Sequence, residues 1–179
     1  MARLDKVAEK QAINVDRKPY LLRPDKPPEG EPRRMFDGET ETELNEAMRE
    51  RAKGVGLTMK RPLWSPNTML VHEATAYAKE QGKDDKFHHV AAAAYWENGT
   101  DIADLDVVKG FAEESGLSWS EMAPLLESHH YQDQVMQNYE AAKSLGVGGT
   151  PSYMIAGELL KGDVSLEELQ AAVDKAAKP

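Results

Sequence analysis

Period-two alternation of apolar and polar residues occurs only near the two ends of this chain, and that distribution restricts its architecture more than any other feature. Ile13, Val15, Arg17 and Pro19 alternate with Asn14, Asp16 and Lys18 and lead into Tyr20, Leu21 and Leu22, which predicts a strand over 13–21. Residues 152–156 and 158–161 read as two short strands around Gly157. The patterned segments between them repeat at helical spacing. Residues 39–53 carry Leu44, Ala47 and Met48 as a stripe ended by Gly54 and Gly56, 67–82 carry Met69, Leu70, Ala74 and Tyr77, and 83–97 carry Phe87, Val90, Ala91, Ala94 and Tyr95. Asp104 caps a further helix. Ser118 and Glu121 stand at capping-box spacing for a short one, and 132–145 form another, closed by Gly146. Ala2–Gln11 is amphipathic, and Ser165 with Glu168 makes a capping box for a last helix. Strands at both ends of a long helical run specify an α/β sheet domain interrupted by an all-helical insertion. The sheet domain is assigned to 1–38 and 131–179, and the insertion to 39–130. Pro24, Pro27, Pro28 and Pro32 make 23–37 a surface connector.

The chain has no cysteine, which removes disulfides, thiolate zinc sites, iron–sulfur clusters and a cysteine nucleophile from its chemistry. The net charge is −9 and no Lys/Arg stripe is interleaved with aromatics, so a nucleic-acid backbone is not the expected partner. No apolar run approaches the roughly 18 residues that span a bilayer. The first ten residues lack the apolar core of a signal peptide, so the expected location is the cytoplasm.

The run from Gly146 to Ile155 is the most suggestive local constellation: a helix stop passes through Gly148 and Gly149 into Thr150 and Pro151, with Pro151 at the start of a strand. Its functional reading is a cis-proline loop that turns the backbone of Thr150 toward an extended peptide or a thiol-bearing tripeptide. An ordinary trans turn is the alternative. A phosphate cradle is disfavoured, because these glycines follow a helix and precede a strand, the reverse of the dinucleotide-binding order. His72, His88, His89, His129 and His130 read as surface or helix-end residues: neighbours on a helix project about 100° apart, so neither adjacent pair chelates a metal unaided. Ser118 and Ser165 are caps rather than nucleophiles, and Trp64, Trp96 and Trp119 are packing anchors.

The order of elements, with Leu22-Arg23-Pro24-Asp25-x-Pro27-x-x-Gly30 and Gly146-Val147-x-Gly149-Thr150-Pro151, resembles the DsbA-like family over essentially the whole chain. Within it the likeness is to the FrnE-type and 2-hydroxychromene-2-carboxylate isomerase-like branch. The resemblance implies a thioredoxin fold with a helical domain inserted ahead of the cis-proline strand, and thiol–disulfide oxidoreductase or glutathione-linked isomerase activity. Carried over, Pro151 is the cis-proline, Thr150 is the residue whose backbone meets substrate, and Gly149, Thr150 and Pro151 form the substrate site, with Thr150 standing where valine is frequent. The family's first core strand, and the Cys-x-x-Cys or Ser after it, precede the stretch matched by Ala2–Gln11 and are not in this sequence. The resemblance therefore implies a sheet whose first core strand is missing and an N-terminally incomplete oxidoreductase, without a catalytic residue and inactive as it stands. The expected partners are a peptide or protein, or a glutathione-type thiol, with a dimer or strand exchange through the vacancy between 13–21 and 152–156. A non-catalytic peptide- or protein-binding module is the other function class.

Overall fold

A computed structural model describes residues 2–54 and 56–177. Its elements in chain order are α1 (Ala2–Gln11), β1 (Glu31–Pro32), α2 (Glu46–Lys53), β2 (Trp64–Ser65), α3 (Met69–Glu80), α4 (Asp84–Asn98), α5 (Leu105–Glu114), α6 (Trp119–Glu127), α7 (Gln132–Ser144), β3 (Ser152–Ile155), β4 (Glu158–Lys161) and α8 (Leu166–Ala176). They divide into two compact units, Met1–Leu22 with Asn138–Pro179, and Arg23–Gln137. No described helix is long and apolar enough to cross a membrane.

In the first unit, α1 and α8 pack their apolar stripes together, with Val7, Val164, Leu169 and Val173 buried and Leu4, Tyr153, Ile155 and Leu160 against them. β3 and β4 form an antiparallel hairpin in which Tyr153 faces Leu160 and Ile155 faces Glu158. Its two-residue turn, Ala156 and Gly157, has φ of 48° and 86°, the left-handed pair that matches strand twist. Arg3 of α1 reaches Asp163 at 2.6 Å and so ties that helix to the loop after the hairpin.

The expected strand over 13–21 does not form. Residues 13–19 alternate between half-buried and exposed, as a strand with one covered face does, but they join no ladder among the described residues. Strand state requires a neighbouring backbone as well as a side-chain period, and among the described residues β3 pairs only with β4.

The second unit is helical. Ala74, Tyr77, Phe87, Val108, Phe111, Met122 and Leu126 of α3 to α6 form its buried centre. The proline-rich stretch 23–37, which the sequence placed with the sheet domain, lies in this unit, because β1 pairs antiparallel with β2. Gly30 permits that approach: its φ is +80°, and a Cβ there would lie 2.7 Å from Trp64 Nε1. The helix expected over 39–53 is only α2, since the Thr40 hydroxyl accepts the Glu43 N–H at 3.0 Å and the Asn45 side chain caps Met48 at 3.0 Å, holding the preceding residues in turns.

The caps divide in an instructive way. At α8 the Ser165 hydroxyl accepts the Glu168 N–H at 3.1 Å while the Glu168 carboxylate accepts the Ser165 N–H at 2.8 Å, a complete capping box. At α6 the expected box is not made: the Ser118 hydroxyl lies 3.2 Å from that of Ser120, and Glu121 accepts the Tyr77 hydroxyl at 3.2 Å. Ser165→Ala is therefore expected to cost about 1 kcal/mol, and Ser118→Ala less than about 0.5 kcal/mol. Urea unfolding followed by circular dichroism checks the contrast, and equal losses would contradict it.

Candidate functional site

Gly146, at φ +80°, ends α7 and starts the loop that carries the sequence-predicted site. The Thr150–Pro151 peptide bond is cis, and both residues are exposed. Two bonds hold the loop on the hairpin. The Ser152 hydroxyl donates to the Gly149 carbonyl at 2.8 Å, and the Pro151 carbonyl accepts the Gly162 N–H at 2.8 Å. Gly149, Thr150 and Pro151 thus stand together, lining an open depression of about 260 Å³ with Gly148, Lys161 and Gly162. Lys161 is the cation of that depression, a contribution that the alternating pattern of β4 did not single out. Upstream, the Tyr20 hydroxyl donates to the Val147 carbonyl at 3.4 Å and the Tyr20 ring sits 5.4 Å from that of Tyr139.

The loop supplies backbone groups, one ammonium and the hydroxyls of Thr150 and Ser152, the second of which donates to the Gly149 carbonyl, but no thiol, because the chain has no cysteine. Such a surface can hold an extended backbone or a small carboxylate-bearing molecule, but by itself cannot exchange a disulfide. A wider groove of about 590 Å³ runs between β4 and α8, flanked by the Lys175–Glu158 pair at 2.7 Å.

The histidines do not converge. Among the described residues no group of three His, Cys, Asp or Glu is placed to hold a metal. Burial, helped by nearby His88, pushes His72 down to about 4, so it is neutral at pH 7. His129 instead meets a residue that the sequence reading passed over: its Nδ1 lies 2.9 Å from Oε1 of the fully buried Glu73. Glu73 belongs to a polar seam along α3, where the Tyr77 hydroxyl bonds Glu121 and the Tyr131 hydroxyl bonds Glu80 at 2.7 Å. Burial and these carboxylates push both phenols up, so they stay protonated donors that tie the helices together.

Comparison with known proteins places the chain among relatives. The family model described as DSBA-like thioredoxin domain matches residues 1–174. The uncharacterized protein YwbO of Bacillus subtilis (strain 168) is 24% identical over 169 residues, covering 93% of this chain and 84% of that protein. The crystal structure of a probable DsbA oxidoreductase, SCO1869 from Streptomyces coelicolor, superposes with a TM-score of 0.85 at 19% identity, covering 98% of this chain and 82% of that one.

Proposed function

The chain belongs to the DSBA-like thioredoxin domain family, and from that premise we propose that it keeps the family's substrate platform without the redox chemistry. The platform is Gly149, Thr150 and Pro151, and its occupant is an extended peptide or a glutathione-type thiol. The observation that carries this reading is the absence of any cysteine from a chain whose loop is otherwise complete. In thiol–disulfide exchange a thiolate attacks a disulfide sulfur and a second thiolate leaves, and this chain has no sulfur able to take either part. The solved relative is described as a probable DsbA oxidoreductase; on the present reading this chain is a DsbA-like relative that is inactive as it stands, because it carries no thiol. A second reading, a non-catalytic peptide- or protein-binding module, shares the loop and is favoured by the edge of β3 away from β4, which pairs with no strand among the described residues.

The test has two arms. Reduction of a disulfide-bridged fluorogenic peptide by dithiothreitol is expected to run at the same rate with and without the protein; an acceleration that scales with protein concentration overturns the inactivity. Titration with glutathione is expected to move the amide resonances of Gly149, Thr150 and Ser152, and Lys161→Ala to weaken that binding several-fold, since Lys161 offers the carboxylates their cation. Unmoved loop resonances at millimolar glutathione leave the tripeptide without a site here.

A further inference from the structure

Lys161 is the residue of the cis-proline depression whose charge the rest of the protein leaves uncompensated. It pairs in register with Ser152, one residue past the cis bond. Side chains alternate across a strand, and Tyr153 and Leu160 pack on the core of the first unit, so Lys161 and Ser152 share the opposite face of the hairpin. There the ammonium meets the end of α7: a Cβ built on Gly146 would lie 3.9 Å from Lys161 Nζ. The last carbonyls of a helix carry about half an elementary charge, which orients an ammonium beside them without neutralising it.

No carboxylate completes that neutralisation among the described residues. The acids around the hairpin are already engaged: Glu158 with Lys175 at 2.7 Å, Asp163 with Arg3 at 2.6 Å, and Glu168 with the Ser165 N–H at 2.8 Å. The Lys161 side chain makes no ion pair or hydrogen bond with a described residue. The other residues that line the depression are Gly148, Gly149, Thr150, Pro151, Ser152 and Gly162, and none is acidic. The N–H groups of Gly148, Gly149 and Thr150 also bond no described residue. A protein of net charge −9 thus sets one free ammonium and three free N–H donors along a single depression that contains no acid.

We propose that this depression is a carboxylate-end subsite: it holds the terminal α-carboxylate of the ligand, with Lys161 as its counter-ion and the N–H groups of Gly148 and Gly149 as its backbone donors. Backbone donors beside a cation are a recurring means of capturing the C-terminus of a peptide. The glycine end of a glutathione-type tripeptide and the C-terminus of an extended peptide present the same group. An amino end is disfavoured, because it would meet the Lys161 ammonium and no carboxylate. The inference rests on the reading of Gly149, Thr150 and Pro151 as the substrate platform, and adds which end of the ligand that platform holds and by what charge.

The experiment follows amide shifts of the isotopically labelled full chain during titration with two pairs of probes: glutathione and its ester on the glycine carboxyl, and acetyl-Ala-Val-Gly and its C-terminal amide. In at least one pair the free acid is expected to bind at least about threefold more tightly than its blocked partner, the size of one exposed charge-assisted contact. A preference confined to the glutathione pair assigns the subsite to the tripeptide, and one confined to the acetylated pair assigns it to peptide C-termini. Lys161→Ala is expected to abolish the preference by weakening the free acids alone, and Lys161→Arg to retain it. Lys161 is exposed, so both variants are expected to keep the wild-type urea midpoint. Two results overturn the subsite and spare the platform: probes that shift Gly149, Thr150 and Ser152 with no preference in either pair, or a preference that survives Lys161→Ala undiminished. Loop resonances unmoved by all of the probes remove the platform and the subsite together.

Discussion

Glu39→Ala is expected to destabilise the helical unit by about 3–5 kcal/mol, the cost of stripping the partner from buried charges. The Glu39 side chain is 0% exposed and takes both guanidinium nitrogens of Arg33, at 2.7 and 2.8 Å, with Arg61 Nε at 3.3 Å and the Phe36 N–H at 3.1 Å. Arg33 and Arg61 are themselves 11% and 6% exposed, so truncation leaves two guanidinium groups without a counter-ion where water reaches poorly. Replacing all three residues by apolar ones of similar volume is expected to cost far less than removing one. Trp64, Trp96 and Trp119 all lie in this unit, so urea unfolding followed by tryptophan fluorescence reports it directly. The effect has a definite pH window. The Arg33 hydrogen bonds, outweighing burial, hold the Glu39 carboxyl at about 2 against an ordinary value of 4.5. A carboxyl depressed by folding stabilises above its unfolded value and loses that contribution as pH falls toward its folded one. Wild type and Glu39→Ala should therefore draw together in stability as the pH falls from 4.5 to about 2. A difference that is unchanged across that window would place the cost elsewhere.

The network at Glu39 also marks where reading a sequence stops. What the chain states locally, the structure keeps: the Asp104 cap accepts the N–H groups of Asp106 and Val107, the Ser165 box closes, and Gly146 ends α7. These features depend on groups within a few residues of one another. Glu39 and Glu73 are unreadable for the opposite reason. Glu39 is buried against Arg33, six residues before it, with Arg61 22 residues on, and Glu73 against His129, 56 residues on, and no periodicity encodes such pairings. Glu121 exposes the intermediate case, because a correct local motif was outcompeted by the Tyr77 hydroxyl, 44 residues away. The segment 13–21 is the same lesson for backbone groups. Its alternation was legible and survives as alternating burial, but a ladder belongs to two strands and the second lies outside the segment. At the candidate site, Gly149, Thr150 and Pro151 are contiguous and were visible together. Lys161 comes to them only through the register that pairs it with Ser152.

Phe87→Ala is expected to cost about 3–5 kcal/mol, as large as the loss of Glu39 but by a different mechanism. Phe87 is 0% exposed, and its ring meets Phe111 edge-on at 6.3 Å and 77°, where four helices converge. Alanine there removes the transfer energy of a whole ring, leaves a cavity that rigid helices fill only in part, and deletes an aromatic contact worth about 1 kcal/mol beyond its area. Phe36 supplies the control within the same unit. It is 60% exposed and its ring only supports Arg33, 5.2 Å away, so Phe36→Ala is expected to stay within about 1 kcal/mol of wild type. Unlike Glu39→Ala, the Phe87→Ala loss is expected to be the same at pH 3 and pH 7, because no proton is bound or released when a hydrocarbon ring is removed. That independence separates the two mechanisms in one urea series: a Phe87→Ala deficit that shrinks in acid would mean that more than ring packing is lost with Phe87.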